Sequence, residues 1–208
     1  MATIDAPFGF RPIGATGGPY TGSIMKCAVG GGITTNVLIG DLVVLAGGGT
    51  TAGTLGSTET GLPTVIAATA GTGNPIFGAV VGFGVNPSNL ESQFALGTDA
   101  NDRVCFVAPA MDGSLFIAQE DGATDVLTVA DIGSTIAFVA TAGNTIYGQS
   151  GYELDSNTTS AAATEQFRIV GLYQDPDNEL NTGTTAGTIW IVTPNEAQLG
   201  TGVVTVGV

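Results

Sequence analysis

The chain has 208 residues, with four Lys or Arg, 18 Asp or Glu and no His, which gives a net charge of −14. The negative charge argues against nucleic acid and anionic membrane surfaces as partners, because both are bound by clustered Lys and Arg. The absence of His excludes Ser-His-Asp and Cys-His catalysis and removes the commonest transition-metal ligand. The longest apolar stretches, such as residues 76–85, fall far short of the ~20 residues that span a bilayer.

The first 22 residues predict an extended arm. Residues 5–13 read DAPFGFRPI, and Pro7 and Pro12 each favour an extended conformation in the residue before them. No basic and apolar leader of the secretion type is present, so we expect no signal peptide. An extended segment from Asp5 to Gly22 would reach about 60 Å, far enough to touch a second molecule.

From residue 23 onward, short apolar runs alternate with Gly, Asn, Asp and Thr. Runs of this length and spacing are typical of strands in a sandwich or barrel. We therefore predict one all-β domain over residues 23–208, an antiparallel β-barrel or sandwich of jelly-roll or tulip-like form, with a long loop at 47–61. The predicted strands are 23–29, 42–46, 63–69, 76–83, 103–108, 114–119, 134–140, 151–155, 165–173 and 187–192, with a weaker one at 203–206.

The run at 165–173 alternates with the period of a half-buried strand. Phe167, Ile169 and Tyr173 fall on one face, and Gln166 and Arg168 fall on the other. We expect the aromatic side chains of Tyr173 and Trp190 to fill the core.

Residues 128–131 (TVAD) fit a capping box, and the glycine at 133 would end the helical turn that they begin. Cys27 and Cys105 lie in apolar runs, which favours buried free thiols in an intracellular protein, whereas a secreted protein would favour a disulfide.

Several segments resemble chemical motifs but are better explained as turns. Residues 148–151 (GQSG) have no base to serve a nucleophile, and no helix follows residues 47–49 (GGG) to hold a pyrophosphate. Weak calcium binding is conceivable at Asp175 and Asp177, but their spacing favours a turn. We predict surface positions for three further acidic residues near a hairpin: Asp112, Glu120 and Asp121.

Several segments together resemble the capsid decoration, or cement, proteins of tailed bacteriophages. The opening DAPFGFRPI at 5–13 is similar to the Pro-Phe-Gly-Phe-Arg-Pro signature with which members of that family begin. The likeness continues in order through most of the chain, and it departs at the loop 47–61 and after Val192. The further matching segments are 18–20 (GPY), 40–44 (GDLVV), 77–83 (FGAVVGF), 86–90 (NPSNL), 116–122 (FIAQEDG), 130–133 (ADIG), 148–154 (GQSGYEL) and 166–172 (QFRIVGL).

The resemblance implies a structural virion protein that is not an enzyme and has no cofactor or metal. It implies assembly in the host cytoplasm and a place on the outer surface of the capsid, where the protein stabilises the head. The partners would be the major capsid protein and further copies of this chain, as a homotrimer. We predict that the arm supplies the interface: Phe8 and Phe10 enter apolar pockets, Arg11 pairs with a carboxylate, and Pro7, Pro12 and Tyr20 complete the contact.

Three alternatives remain open at this stage. Phe8 and Phe10 would in one case fold back onto their own domain. A receptor- or glycan-binding virion module would show an exposed aromatic groove. A β-rich hydrolase would bring two carboxylates together in a cleft.

Overall fold

The structure is a computed structural model that describes residues 4–30, 33–50, 60–86, 89–98, 102–122, 125–162, 164–180 and 187–199. Within these residues the chain forms thirteen strands and two short 3₁₀ turns. The predicted all-β class is therefore confirmed. The predicted strand at 203–206 and most of the predicted loop at 47–61 lie outside the described residues.

Six strands form an antiparallel sheet in the spatial order β2-β1-β8-β13-β12-β9. Burial alternates where the run at 167–170 crosses the sheet: Phe167 and Ile169 are buried, whereas Arg168 and Val170 are exposed. The strands are β1 (Arg11–Ala15), β2 (Gly18–Pro19), β8 (Ser114–Gln119), β9 (Thr135–Ile136), β12 (Phe167–Leu172) and β13 (Ile189–Pro194).

Five further strands close into a small barrel in the order β3-β5-β4-β6-β7. The pair β3 and β5 is parallel, whereas the other neighbours are antiparallel. The strands are β3 (Met25–Val29), β4 (Leu42–Gly49), β5 (Pro63–Ala67), β6 (Gly78–Phe83) and β7 (Arg103–Pro109). A two-stranded ribbon of β10 (Phe138–Val139) and β11 (Glu153–Leu154) lies beside the sheet.

The two assemblies have separate hydrophobic clusters. The barrel encloses Val, Cys and Ala side chains with Phe77. The second cluster joins the sheet to outward-facing barrel residues such as Leu42 and Ala79, and it contains Trp190 with no exposed surface. The core position predicted for Trp190 is confirmed, whereas Tyr173 is only half-buried.

Cys27 and Cys105 face each other across β3 and β7, and both are completely buried as free thiols. Burial raises the pKa of Cys27 to about 11 and that of Cys105 further in the same direction. The barrel interior therefore keeps both side chains as apolar, protonated thiols, as predicted.

The predicted helical turn is present at Val129–Asp131, with Thr128 as its N-cap. The Thr128 hydroxyl accepts from the Ala130 amide at 3.3 Å, and Asp131 Oδ2 accepts from the Thr128 amide at 2.8 Å. The predicted turn at Asp175–Asn178 is also present, because the Asn178 amide donates to the Asp175 carbonyl at 3.0 Å.

Four sequence predictions need correction. Strand β4 continues through the three glycines to Gly49, so the loop begins later than residue 47. Gln166, placed on the exposed face, is fully buried because its side-chain amide bonds to the loop at 69–74: its Nε2 donates to the Thr69 and Asn74 carbonyls. Glu120, expected at the surface, has no exposed area, and the arm predicted at 1–22 contains β1 and β2.

Candidate interaction surface

The N-terminal segment packs along its own domain and does not project from it. The Gln119 side chain holds the start of the segment: Ala6 N donates to its Oε1 at 3.0 Å, and its Nε2 donates to the Ile4 carbonyl at 2.8 Å. Strand β1 then pairs with β8 in the sheet. The prediction of a free arm is therefore wrong for the described residues 4–22, because strand pairing satisfies the backbone better than an isolated arm would.

Phe10 fastens this segment to the core. Its side chain is 1% exposed, stacks on Phe167 with ring centroids 4.7 Å apart, and meets Phe138 edge-on at 6.2 Å. The prediction that Phe10 enters a pocket on another molecule is therefore wrong. Burying a phenylalanine stabilises the fold by about 2–3 kcal/mol, which would be lost on withdrawal.

Two glycines permit the close approach that seats Phe10. Gly9 and Gly40 both have positive φ, at 73° and 97°. A Cβ on Gly40 would lie 2.5 Å from the Phe8 carbonyl oxygen, and one on Gly9 would lie 2.5 Å from the Gly40 oxygen. The Phe10 amide donates to the Gly40 carbonyl at 2.9 Å, so the segment is bonded directly to the turn before β4.

Phe8, two residues earlier, remains at the surface. It is half-buried, and the Arg11 guanidinium lies over its ring, with Cζ 4.4 Å from the centroid. Arg11 is exposed and forms no ion pair with any Asp or Glu that the structure describes. The stack restricts both side chains and leaves the guanidinium free for an external anion.

A groove of about 430 Å³ opens beside this stack. Its walls are mainly apolar, and its described lining contains no Asp or Glu. Ile39 is 37% exposed and Tyr147 is 70% exposed on its rim. We call this depression the Phe8 groove, and we call five of its lining residues the Phe8 surface: Phe8, Arg11, Pro12, Ile39 and Tyr147. The remaining lining residues are Phe10, Gly40, Val80, Val81, Gly148 and Gln149.

Tyr147 lies in a hydrogen-bonded hairpin, residues 144–149. The backbones of Asn144 and Gln149 exchange two hydrogen bonds, of 2.8 and 3.0 Å, and the Asn144 side chain accepts from Ile146 and Tyr147 amides. The hairpin is attached to the segment that precedes β4, where Ile39 N donates to the Gly148 carbonyl at 3.0 Å. An exposed aromatic on an ordered turn is a feature of binding surfaces, in which such side chains lose little entropy on association.

The remaining predicted interface residues lie elsewhere. Pro7 lines a neighbouring depression with Asn144 and Gly151. Tyr20 lies on another side of β1, where its hydroxyl donates to the Ser23 carbonyl at 3.0 Å. The Phe8 surface therefore brings together Phe8, Arg11 and Pro12 of the predicted set. Sequence reasoning missed Ile39 and Tyr147, although an aromatic between Asn144 and Gly148 in a turn was a usable signal.

Three buried carboxyl groups lie near these segments. Burial raises the pKa of Asp41 to about 6, against the opposing effect of its hydrogen bond from the Leu38 amide. Burial is the larger cause, and the nearby negative charge of Asp5 the second, of a rise in the pKa of Glu153 to about 7. Burial also raises the pKa of Glu120, whose Oε2 accepts from the Leu127 amide at 2.9 Å. The carboxyl groups of Asp41 and Glu120 thus accept hydrogen bonds from backbone amides of nearby turns. Their desolvation on folding costs free energy.

Among the described residues, no group of three or more Cys, Asp or Glu side chains is placed to hold a metal ion. In the same part of the chain no helix has the length and apolar character needed to cross a membrane. No protein-family model matches the chain, and no curated protein and no solved structure is significantly similar to it.

Proposed function

We propose that this protein is a structural virion protein that binds the outside of an assembled tailed-phage head and stabilises it. One observation carries the proposal: segments that bear the resemblance to decoration proteins meet at the Phe8 groove. Residues 5–13, 40–44, 77–83 and 148–154 are separate in the sequence, and each contributes to the groove lining. Because the segments that resemble decoration proteins come together at one surface, we infer that this surface binds a partner as it would in a decoration protein.

The chemistry of the surface fits a protein partner. Aromatic and Arg side chains dominate the energetics of protein interfaces, and here Phe8, Arg11 and Tyr147 line one groove. The partner is the major capsid protein in this proposal. A β-fold with two hydrophobic clusters suits a role in which the molecule bears load without chemical turnover.

The proposal includes a homotrimer. Three copies of one groove, arranged by closed symmetry, would attach to a symmetric lattice with far greater strength than one copy. Light scattering after size exclusion tests this part, with an expected mass of three times the 20.6 kDa chain. A monomeric mass would refute the trimer and leave the attachment proposal to its own test.

A deletion of residues 1–14 does not test attachment cleanly, because it also removes Phe10 and most of β1 from the fold. Point substitutions are sharper. Purified protein is added to heads that lack it, and occupancy is measured by gel densitometry and cryo-electron microscopy. We expect saturation by the unaltered chain and at least tenfold weaker attachment by Arg11→Glu.

The matched control is Arg168→Glu, which makes the same change of charge at an exposed position on β12. It should attach as the unaltered chain does. Failure of the unaltered chain to attach to any such heads would refute the proposed function.

Glycan binding is the second candidate, because Tyr147 is an exposed aromatic on the rim of a groove. The lining favours it less, since among its described residues Gln149 alone has an amide side chain to bind sugar hydroxyls. A glycan array probed with the unaltered chain and with Tyr147→Ala distinguishes the two functions. Reproducible hits that Tyr147→Ala abolishes would favour the glycan function.

A further inference from the structure

The basic residues of this acidic chain have different roles. Arg103 is 6% exposed and donates to the Ser92 side chain and to backbone carbonyls around it. Arg168 donates to the Gly133 carbonyl at 2.9 Å. Arg11 is exposed, and within the described residues its guanidinium contacts the Phe8 ring. The chain has 18 acidic residues, yet none of those that the structure describes forms an ion pair with the Arg11 guanidinium.

The stack on Phe8 prepares Arg11 for an anion. A guanidinium above a ring keeps its N–H donors at its edges, where a planar carboxylate can accept two parallel hydrogen bonds. Because the stack already restricts the side chain, less conformational entropy is lost when that carboxylate binds.

The rest of the groove requires an apolar group close to that carboxylate. Ile39, Pro12 and Val81 line the groove beside Arg11, and the exposed Tyr147 ring bounds it. A volume of about 430 Å³ accommodates side chains of a peptide and lies at the small end of the range for ligand sites. An inorganic anion would leave these walls in water, and a polynucleotide needs clustered Lys and Arg, whereas Arg11 is the single basic residue in the described lining.

We propose that the Phe8 groove binds an extended acidic segment of a protein partner, with its Asp or Glu on Arg11 and a neighbouring aliphatic side chain between Phe8, Ile39 and Tyr147. This inference rests on the proposed function, in which the segment belongs to the capsid protein. It adds the chemistry of that segment: a carboxylate flanked by Leu, Ile or Val.

The test uses the isolated full chain and three end-blocked pentapeptides, Gly-Leu-Glu-Leu-Gly and its Gln and Lys counterparts. Titrations followed in ¹⁵N–¹H spectra should shift the amides of Arg11, Gly40 and Gly148 with the Glu peptide. We expect at least fivefold weaker binding of the Gln peptide and none of the Lys peptide. Arg11→Gln should remove the preference for Glu over Gln, and Arg11→Glu should reverse it toward Lys.

Equal binding of the Glu and Gln peptides, shifts outside the groove, or no shifts at millimolar peptide would overturn the inference. Its failure is distinguishable from that of the proposed function. If heads take up the unaltered chain and Arg11→Gln equally well, the function stands and the acidic segment is refuted. If the Glu peptide binds as expected but no head takes up the protein, the groove chemistry stands and the capsid partner is refuted.

Discussion

The two hydrophobic clusters differ in composition and in how the chain builds them. The barrel cluster is mostly Val, Cys and Ala, and residues 27–107 supply all its fully buried members. The cluster under the sheet is aromatic and draws on positions from Phe10 to Ala197. The barrel is thus built from one continuous part of the chain, whereas the aromatic cluster needs both ends of it.

The barrel strands contribute to both clusters, because neighbouring residues of a strand point to opposite sides. Val43 and Val107 face the barrel interior, whereas Leu42 and Ala108 pack in the aromatic cluster. Strands that are buried on both faces appear in the sequence as unbroken apolar runs. The barrel therefore encloses a cluster of its own and at the same time forms one wall of the aromatic cluster.

Removal of Phe10 should have the largest effect, because this residue closes the aromatic cluster from the far end of the chain. We expect Phe10→Ala to lower the free energy of unfolding by about 3–5 kcal/mol, measured by urea denaturation. Phe8→Ala, two residues away at the surface, is the matched control and should cost less than about 1 kcal/mol. Similar losses in the two variants would contradict the assignment of Phe10 to the core and Phe8 to the surface.

The same contrast explains how much of the fold the sequence predicts. Each of the ten stronger strand predictions has a counterpart, because apolar runs of strand length reflect local burial. Strands β1 and β2 were missed, since prolines and glycines there indicate an irregular segment and only pairing with β8 makes it a strand. The local sequence pattern thus predicts the barrel strands well, but it does not predict that the N-terminal segment closes the aromatic cluster.

The interaction surface was predictable only in part, for a related reason. Phe8 and Phe10 have the same side chain and lie two residues apart, and only the tertiary position of Phe167 makes one of them a core residue. Ile39 and Tyr147 join the surface through hydrogen bonds between segments more than 100 residues apart, which no local pattern encodes. Glu120 was expected at the surface because charged side chains are usually solvated. Its carboxyl group is instead buried, where it accepts a hydrogen bond from the Leu127 amide.

A pH titration tests two buried carboxyl groups, Asp41 just before β4 and Glu153 in β11. Their pKa values are raised to about 6 and about 7, from ordinary values of 3.8 and 4.5. The folded state therefore binds their protons more tightly than the unfolded state, and stability is lost as pH rises from about 4 through 7. At about 1.4 kcal/mol per pKa unit, Asp41 accounts for about 3 kcal/mol of this loss, and the partly solvated Glu153 adds roughly 1 kcal/mol.

Urea denaturation at several pH values measures this loss. Glu153→Gln should flatten the profile, most of all between pH 5 and 7. Glu91→Gln, at an exposed position, serves as the control and should leave the profile unchanged. A stability that rises from pH 4 to pH 7 would mean that these two carboxyl groups are solvated or paired with a cation.

Val107→Ala in the barrel should have the smallest effect of the three. Val107 is fully buried in the barrel cluster, and its truncation removes two methyl groups, for a loss of about 2 kcal/mol. Phe10 and Val107 belong to different clusters, so the losses in the double variant should add to within about 0.5 kcal/mol. A clear departure from additivity would show that the shared strands couple the two cores, since the backbone of β7 carries Val107 toward one cluster and Ala108 toward the other.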